Sequence, residues 1–254
     1  MIPVIYLTGA AACGKGTLGK MLAEEFGFLH ISIGDILREY RKQRDSLNPK
    51  LPPNWPESAR QAIIECMKNN KPIPDNILHT FPGLLPPVVL VYHNYHVKND
   101  TQDRKSKASW LTPQIMLENM KLAEGRYKAL LVDGLPVTPF ERNVEVINHF
   151  GKLNSGLTIV ITCPVEVARE RYLNRARMAS ENEAKFARRM EKTERILPQF
   201  IKFMEEQGTV VTAINDGTLS VEEAYRELFA KLSRSEVFWG LIGKRPGRAG
   251  AISE

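Results

Sequence analysis

Gly9-Ala10-Ala11-Ala12-Cys13-Gly14-Lys15-Gly16-Thr17 follows an apolar run at residues 3–8 and precedes a helical pattern at residues 18–26. The stretch matches G-x-x-x-x-G-K-[ST] with one glycine inserted before the threonine. Small residues let backbone N–H groups approach phosphate oxygens, and a helix N-terminus and a lysine add positive charge. The order strand, loop, helix predicts a loop that binds a nucleoside triphosphate rather than a plain glycine-rich turn.

Several residues of this loop are expected to contact the triphosphate and its Mg²⁺. Lys15 supplies a full positive charge, and the hydroxyl of Thr17 is placed to reach the magnesium ion. We expect the ligand to be ATP. The residues predicted to bind it here are Gly9, Ala11, Ala12, Cys13, Gly14, Lys15, Gly16 and Thr17.

The composition is that of an ordinary globular chain of 254 residues, 43% apolar and 25% charged. No apolar run approaches the roughly 20 residues that cross a bilayer, so we expect no membrane partner. Met1-Ile2-Pro3 leads directly into the first predicted strand, which argues against a targeting segment. The three cysteines are far apart in sequence, which favours neither a disulfide framework nor a zinc site. A cytoplasmic protein is expected.

The net charge is +6, and the arginines concentrate around residues 169–195. A positive net charge of this kind favours the binding of either nucleic acids or the phosphates of small nucleotides. Because no nucleic-acid recognition motif accompanies the charge, we expect nucleotide substrates as the partners and no nucleic acid. Nothing in the sequence defines the oligomeric state, and a monomer is the default.

Short apolar runs alternate with helical patterns along the chain, which predicts an α/β fold with a doubly wound parallel sheet. The runs are continuously apolar, as expected for strands covered on both faces. The predicted strands are residues 3–8, 28–32, 129–133, 157–162 and 209–213. The predicted helices are residues 18–26, 34–43, 57–68, 113–124, 138–149, 165–177, 181–206 and 220–233.

Three segments depart from this pattern. Residues 45–56 are rich in proline and are predicted to form a loop. Residues 81–110 combine prolines, a valine-rich run that is compatible with an extra strand, and a polar end. Residues 234–254 carry glycine, proline and basic residues and are predicted to be a tail, tethered by Phe238 and Trp239.

His30-Ile31-Ser32-Ile33-Gly34-Asp35-Ile36-Leu37-Arg38 is the second informative stretch. Together with residues 9–17 it resembles the adenylate kinase and UMP-CMP kinase family, whose phosphate loop G-x-x-x-x-G-K-G-T is followed by H-x-S-x-G-D-L-L-R. The resemblance implies that Ser32, Gly34, Asp35 and Arg38 begin the acceptor site, with the arginine on the acceptor phosphate. An arginine in the first turns of a helix is also suited to hold an anion bidentately.

Leu130-Leu131-Val132-Asp133-Gly134-Leu135-Pro136 is similar to the family's F-L-I-D-G-F-P-R. A carboxylate at the carboxyl end of a parallel strand lies where such sheets bind ligands, and Asp133 is predicted to hold Mg²⁺ through water. Gly134 is expected at the acceptor site. The chain departs from the family at Val137, where relatives have an arginine, and at Glu141, where adenylate kinases have a glutamine that reads the base. Arg142 would restore the lost charge as a substrate-binding residue.

The arginine-rich region completes the resemblance. Arg171 and Arg175 lie four residues apart on one predicted helix face, like the family's R-x-x-x-R pair on the triphosphate. Arg177 follows, and Arg189 matches the arginine that bridges both nucleotides. Such groups suit a transition state with charge spread over phosphoryl oxygens. The turn before the last helix contains Gly217, which the resemblance places near the donor adenine.

The sequence thus predicts a nucleoside monophosphate kinase-like core at residues 1–233. Within it, residues 34–128 form a helical acceptor-side insertion and residues 171–190 a short lid. The expected reaction moves the γ-phosphoryl group of ATP to AMP, CMP or UMP. A different small acceptor is an alternative, for which Asp35 is the candidate base if a hydroxyl is phosphorylated. A nucleotide-binding switch without transfer activity is the other alternative.

Overall fold

The computed structural model describes residues 2–36, 38, 56–69, 123–136, 140–141, 143–144, 147, 156–175 and 182–243. The chain divides into two compact units, one made of residues 1–30 and 125–254 and the other of residues 31–124. The first unit contains most of the sheet, the phosphate loop and the arginine-rich helices. Among its described residues, the second contains Ser32, Gly34, Asp35 and Arg38 of the predicted acceptor site and the helix Glu57–Lys68.

The described elements alternate between strands and helices, as predicted. The strands are β1 (Val4–Gly9), β2 (Phe28–Ser32), β3 (Ala129–Asp133), β4 (Leu157–Thr162) and β5 (Thr209–Ile214). The helices are α1 (Lys15–Phe26), α2 (Glu57–Lys68), α3 (Val165–Arg175), α4 (Glu183–Gln207), α5 (Val221–Leu232) and α6 (Glu236–Ile242).

The strands form one five-stranded parallel sheet in the order β2-β3-β1-β4-β5. In the central strand β1, Leu7 pairs with Asp133 of β3 and with Ile159 of β4. Successive residues of β1 point to opposite faces of the sheet, and all from Val4 to Thr8 are buried, so both faces are covered. The predicted doubly wound α/β fold is confirmed.

The helices around the sheet pack in pairs. Helices α1 and α5 contact each other, and α1 also contacts β1 and β3. Helix α4 contacts α3 and β5. The hydroxyl of Tyr225 in α5 donates a hydrogen bond to Glu25 in α1, and burial together with this carboxylate raises the pKa of Tyr225. The two helices are therefore joined by a polar contact as well as by their apolar faces.

Helix α6 corrects the predicted tail. The sequence analysis treated everything from residue 234 as a tail, but Ser235 caps a helix by accepting a hydrogen bond from the backbone N–H of Phe238. Phe238 is fully buried and its ring lies 5.2 Å from that of Phe26, edge to face. Trp239 donates its indole N–H to the carbonyl oxygen of Ser233 at 2.7 Å. The tethering by Phe238 and Trp239 was predicted, whereas the helix was missed because it is only seven residues long and lies close to the glycine and basic residues that follow it.

Other predictions fall outside the described residues or on their edge. Residues 45–55, the segment 81–110, Val137, and the end of the chain from residue 244 lie outside them. Helix α1 begins at Lys15, three residues before the predicted start, because the loop glycine Gly14 is itself the N-cap. No helix in the described part of the chain is long and apolar enough to cross a membrane.

Candidate nucleotide-binding site

The phosphate loop connects β1 to α1 through an unusual backbone. Gly9 and Gly14 have φ angles of 141° and 100°, and Ala12 also lies in the left-handed region at 59°. A Cβ on Gly9 would lie 2.1 Å from the carbonyl oxygen of Ile161, which belongs to the neighbouring strand β4. Glycine is therefore required at this position both by the backbone angle and by the close approach of β4.

The N-terminus of α1 differs from those of the helices after it. Gly14 provides no side-chain cap, and the first turn holds no acidic residue. By contrast, α4, α5 and α6 each begin with an asparagine or serine cap and have an acidic first turn. Uncapped N–H groups at a helix start carry partial positive charge, which favours an anion there. The loop, Lys15 and this helix end together offer a polyphosphate several donors.

Lys15 lies folded against the loop. Its Nζ donates hydrogen bonds to the carbonyl oxygens of Gly9 at 3.0 Å and of Ala10 at 2.7 Å. It also approaches Cys13 Sγ at 3.7 Å. The ammonium group therefore lies against the loop. Cys13 is buried, whereas Thr17 is exposed in the first turn of α1.

Asp133 lies at the carboxyl end of β3, beside β1, and its residue is 8% exposed. The loop after it is held by Thr8, a fully buried residue of β1 whose hydroxyl donates to the carbonyl oxygen of Leu135 at 2.8 Å. Between them Gly134 takes a φ of 134°. Thr8 was not predicted as a site residue, and its polarity within an apolar strand was the signal that could have identified it.

Thr17 and Asp133 are the residues that would hold Mg²⁺. A carboxylate at a strand end and a hydroxyl in the first turn of the adjoining helix suit a magnesium ion that keeps most of its water. Among the described residues, no cluster of three or more His, Cys, Asp and Glu side chains could bind a metal. The donor set therefore fits a hydrated cation brought with the phosphates better than a metal enclosed by the protein.

Arg171 is brought to the phosphate loop by a residue that the sequence analysis did not select, Asn215. The guanidinium donates to the carbonyl oxygen of Asn215 at 3.1 Å and to its Oδ1 at 3.2 Å. The Nδ2 of Asn215 in turn donates to the carbonyl oxygen of Cys13 at 3.0 Å. Gly217 is close by, since a Cβ there would lie 3.4 Å from Arg171 Nη2. The structure thus brings Arg171, Gly217 and the loop together.

Arg175 and Arg189 meet at one aromatic ring. The guanidinium carbon of Arg175, at the end of α3, lies 5.0 Å from the ring centroid of Tyr172. That of Arg189, in α4, lies 5.4 Å from the same centroid. Tyr172 is fully buried and also contacts the ring of Phe186. One tyrosine therefore positions two predicted phosphate-binding arginines through cation–π contacts, a role that sequence alone did not suggest.

Cys163 lies beside Arg171, whose Nη1 approaches its Sγ at 3.7 Å. Burial raises the pKa of the Cys163 thiol above its ordinary value of 9.0, although the positive charge of Arg171 acts in the opposite direction. The thiol is thus neutral at physiological pH and packs as a small polarizable group beneath the guanidinium. Cys13, Cys66 and Cys163 form no disulfide bond.

Four of the predicted acceptor residues lie in the second unit. The backbone N–H of Asp35 donates to Ser32 Oγ at 3.3 Å, and Arg38 forms an ion pair with Asp35. A Cβ on Gly34 would lie 3.3 Å from Arg38 Nη1, so the guanidinium lies over this glycine. Ser32, Gly34, Asp35 and Arg38 therefore form one local cluster.

Glu141 is exposed in a helical turn of the first unit. Arg142 and Arg177 lie outside the described residues.

Comparison with known proteins agrees with this arrangement. The AAA domain family matches residues 8–89, which include the phosphate loop. UMP-CMP kinase 2 of Caenorhabditis elegans is 25% identical over 82% of this chain and 85% of its own length. The UMP-CMP kinase of Danio rerio is 23% identical over 89% of this chain and 94% of its own.

The chain is similar to nucleoside monophosphate kinases over most of its length, as a distant relative of them. A further relative, the UMP-CMP kinase of Homo sapiens, is 22% identical over 89% of this chain and 94% of its own length. These similarities extend well beyond the phosphate loop and cover the arginine-rich helices. For this nucleoside monophosphate kinase-like chain they support a kinase-type enzyme, but the identity is too low to transfer an acceptor.

Proposed function

We propose that this protein is an ATP-dependent phosphotransferase whose acceptor is a nucleoside monophosphate of the AMP, CMP or UMP type. The contact that supports this most directly is the Asn215 bridge, which holds Arg171 against the phosphate loop. A guanidinium held beside the loop is suited to neutralise charge on a phosphoryl group during its transfer. The names of the relatives, UMP-CMP kinases, support the same class of acceptor.

The described residues would act by binding and charge neutralisation. Lys15 and the N–H groups at the start of α1 would bind the phosphates, and Arg171, Arg175 and Arg189 would lower the energy of charge spread over the transferring group. Mg²⁺ held by Thr17 and Asp133 would neutralise phosphate charge when bound. No general base is required, because a phosphate acceptor oxygen is already ionised at neutral pH.

The ion pair between Asp35 and Arg38 supports an acceptor that is itself an anion. A phosphate can replace the carboxylate as the partner of the Arg38 guanidinium, which binds either group bidentately. In the alternative in which a hydroxyl is phosphorylated, Asp35 would have to leave this ion pair before it could act as a general base. A cytoplasmic location and a monomeric state remain predictions.

The test is a coupled assay of ADP formation with ATP and Mg²⁺ across AMP, CMP, UMP, GMP and their deoxy forms, with a control lacking acceptor. We expect at least one monophosphate to raise ADP formation far above the control. If ATP binds but no monophosphate does so, the proposal is wrong, and a different acceptor or a binding-only role is indicated. Slow hydrolysis that is the same with every acceptor would indicate the binding-only role.

Arg189→Ala sharpens this assay. Removing the guanidinium should lower transfer by roughly 100-fold or more, because arginines that stabilise phosphoryl-transfer charge contribute at least this much. The matched control is Arg195→Ala, which removes the same charge from an exposed position of the same helix. Circular dichroism should show both variants folded. Equal activity in the two variants would contradict the role given to Arg189.

A further inference from the structure

The side chain of Asn215 contacts both the phosphate loop and Arg171. Its Nδ2 donates to the carbonyl oxygen of Cys13 at 3.0 Å, while its Oδ1 and its own carbonyl oxygen accept from Arg171 at 3.2 and 3.1 Å. Its backbone N–H donates to the carbonyl oxygen of Thr162 at 2.9 Å, which fixes the residue at the end of β5. The side chain is thus anchored before it contacts either partner.

The amide of Asn215 has a defined orientation. A backbone carbonyl only accepts hydrogen bonds and a guanidinium only donates them, so one of the two possible amide orientations satisfies both partners. An aspartate would place a second acceptor against the Cys13 carbonyl oxygen. This position therefore needs an amide, with a donor on one side and an acceptor on the other.

The bond to Cys13 also orients the next backbone donor. The Cys13–Gly14 peptide is planar and trans, so its carbonyl oxygen and the N–H of Gly14 point in opposite directions. Holding the carbonyl toward Asn215 turns this N–H away from Asn215. Gly14 is the N-cap of α1, and a Cβ there would lie 2.2 Å from Asn215 Nδ2, so the contact is tight. A single side chain thereby sets the direction of a loop N–H and of an arginine.

We propose that Asn215 is a positioning residue that organises two phosphate-binding groups at once, the N–H of Gly14 and the guanidinium of Arg171. The inference rests on the proposed function, since it assigns both groups to a polyphosphate. It goes further because it assigns the alignment of both groups to one side chain. That side chain follows β5 and lies 202 residues from Cys13 in sequence. Asn215 itself touches no phosphate in this assignment.

The test measures binding of ATP with Mg²⁺ and of inorganic tripolyphosphate by calorimetry, in the wild type and in Asn215→Ala, Arg171→Ala and the double variant. Asn215→Ala removes the side-chain hydrogen bonds to Arg171 and to the Cys13 carbonyl oxygen. We therefore expect the affinity for each ligand to fall by roughly tenfold. The affinities for ATP and for tripolyphosphate should fall by the same factor, because Asn215 orients groups that bind the phosphates and not the base. The double variant should lose less than the product of the single losses.

Ser220→Ala is the matched control. It removes the cap of α5 five residues further along and should lower the melting temperature without changing either affinity. Asn215→Ser, whose short hydroxyl reaches neither partner, serves as the second variant in case Asn215→Ala does not fold. An unchanged affinity for tripolyphosphate in a folded Asn215 variant, or losses that multiply in the double variant, would overturn the inference.

These outcomes separate the two proposals. If the wild-type protein binds ATP but transfers no phosphoryl group, the proposed function is contradicted. The ratio of the wild-type affinity to the Asn215→Ala affinity still decides the role of Asn215 in that case. Active wild-type protein with an Asn215 variant that binds as tightly contradicts only the inference. Wild-type protein that binds neither ligand contradicts both.

Discussion

The phosphate loop and the arginine-rich region are built in different ways. The loop is shaped by its backbone, through positive φ angles at Gly9, Ala12 and Gly14 and through the hydrogen bonds from Lys15 to loop carbonyls. The arginines are held by side chains, since Arg171 is bound by Asn215 while Arg175 and Arg189 share the ring of Tyr172. The phosphate loop should therefore be disrupted when a Cβ is added to one of its glycines. The arginine-rich region should be disrupted when a side chain that holds an arginine is shortened.

Gly9→Ala should have the largest effect. The new Cβ would lie 2.1 Å from the carbonyl oxygen of Ile161, which the sheet holds in place, and the φ of 141° is unfavourable for alanine. We expect the free energy of unfolding to fall by about 3 kcal/mol or more, from backbone strain and overpacking together. Thermal unfolding followed by circular dichroism measures it. Gly16→Ala is the control, because a Cβ there meets no atom within 4 Å. Equal stabilities would contradict the backbone argument.

Lys15→Ala should come next, and its effect should be on binding rather than on folding. Losing the ammonium group removes the one full charge at the loop, and we expect affinity for ATP with Mg²⁺ to fall by roughly 100-fold. Stability should change less than in Gly9→Ala, because shortening the lysine introduces no steric clash. Calorimetry with ATP and a melting curve measure the two effects. A large loss of stability with intact binding would show that the lysine serves the loop's structure instead.

Tyr172→Leu tests the arginine-rich region, in which side chains hold the arginines. Leucine fills much of the buried space but offers no ring face to Arg175 and Arg189, so we expect kcat to fall by about tenfold. Tyr172→Phe keeps the ring and should stay near the wild-type value. Steady-state kinetics on the best monophosphate acceptor, with a melting curve for each variant, makes the comparison. If phenylalanine and leucine reduce kcat equally, the two arginines do not depend on the ring.

The smallest effect is expected at Cys163. Because burial raises the pKa of its thiol, less thiolate is present at neutral pH and the reaction with iodoacetamide should be slower than in an unfolded peptide of residues 160–166. The rate should rise as pH passes above 9.0, the ordinary value. Arg171→Ala should slow it further at a given pH, because the arginine lowers this pKa. Mass spectrometry of the labelled cysteine measures the rate, and identical rates in protein and peptide would refute the shift.

The sheet and the phosphate loop could be predicted because their signals are local. Strands β3 and β4 are continuous apolar runs, and such runs are buried on both faces wherever helices cover a parallel sheet. The loop residues lie within nine consecutive positions. The resemblance to nucleoside monophosphate kinases also selected Arg171 and Arg175, which the structure brings toward the loop or toward Arg189.

The residues that the sequence analysis missed act over long separations. Asn215 contacts Cys13 across 202 residues and Arg171 across 44, so no window of sequence contains both partners. Tyr172 has the pattern of an ordinary core residue, and its contact with Arg189 requires two helices to pack. Helix α6 was missed because a helix only seven residues long has little periodicity.

The order of the strands has a consequence for how the protein is made. Strand β1 is translated before both of its neighbours in the sheet, β3, which starts at Ala129, and β4, which ends at Thr162. The nascent chain therefore carries an apolar segment without a sheet partner until the residues from Ala129 onward have been synthesised. Pairings over such distances form slowly. The phosphate loop, which follows β1 directly, can therefore take its final shape only after these later strands have been made.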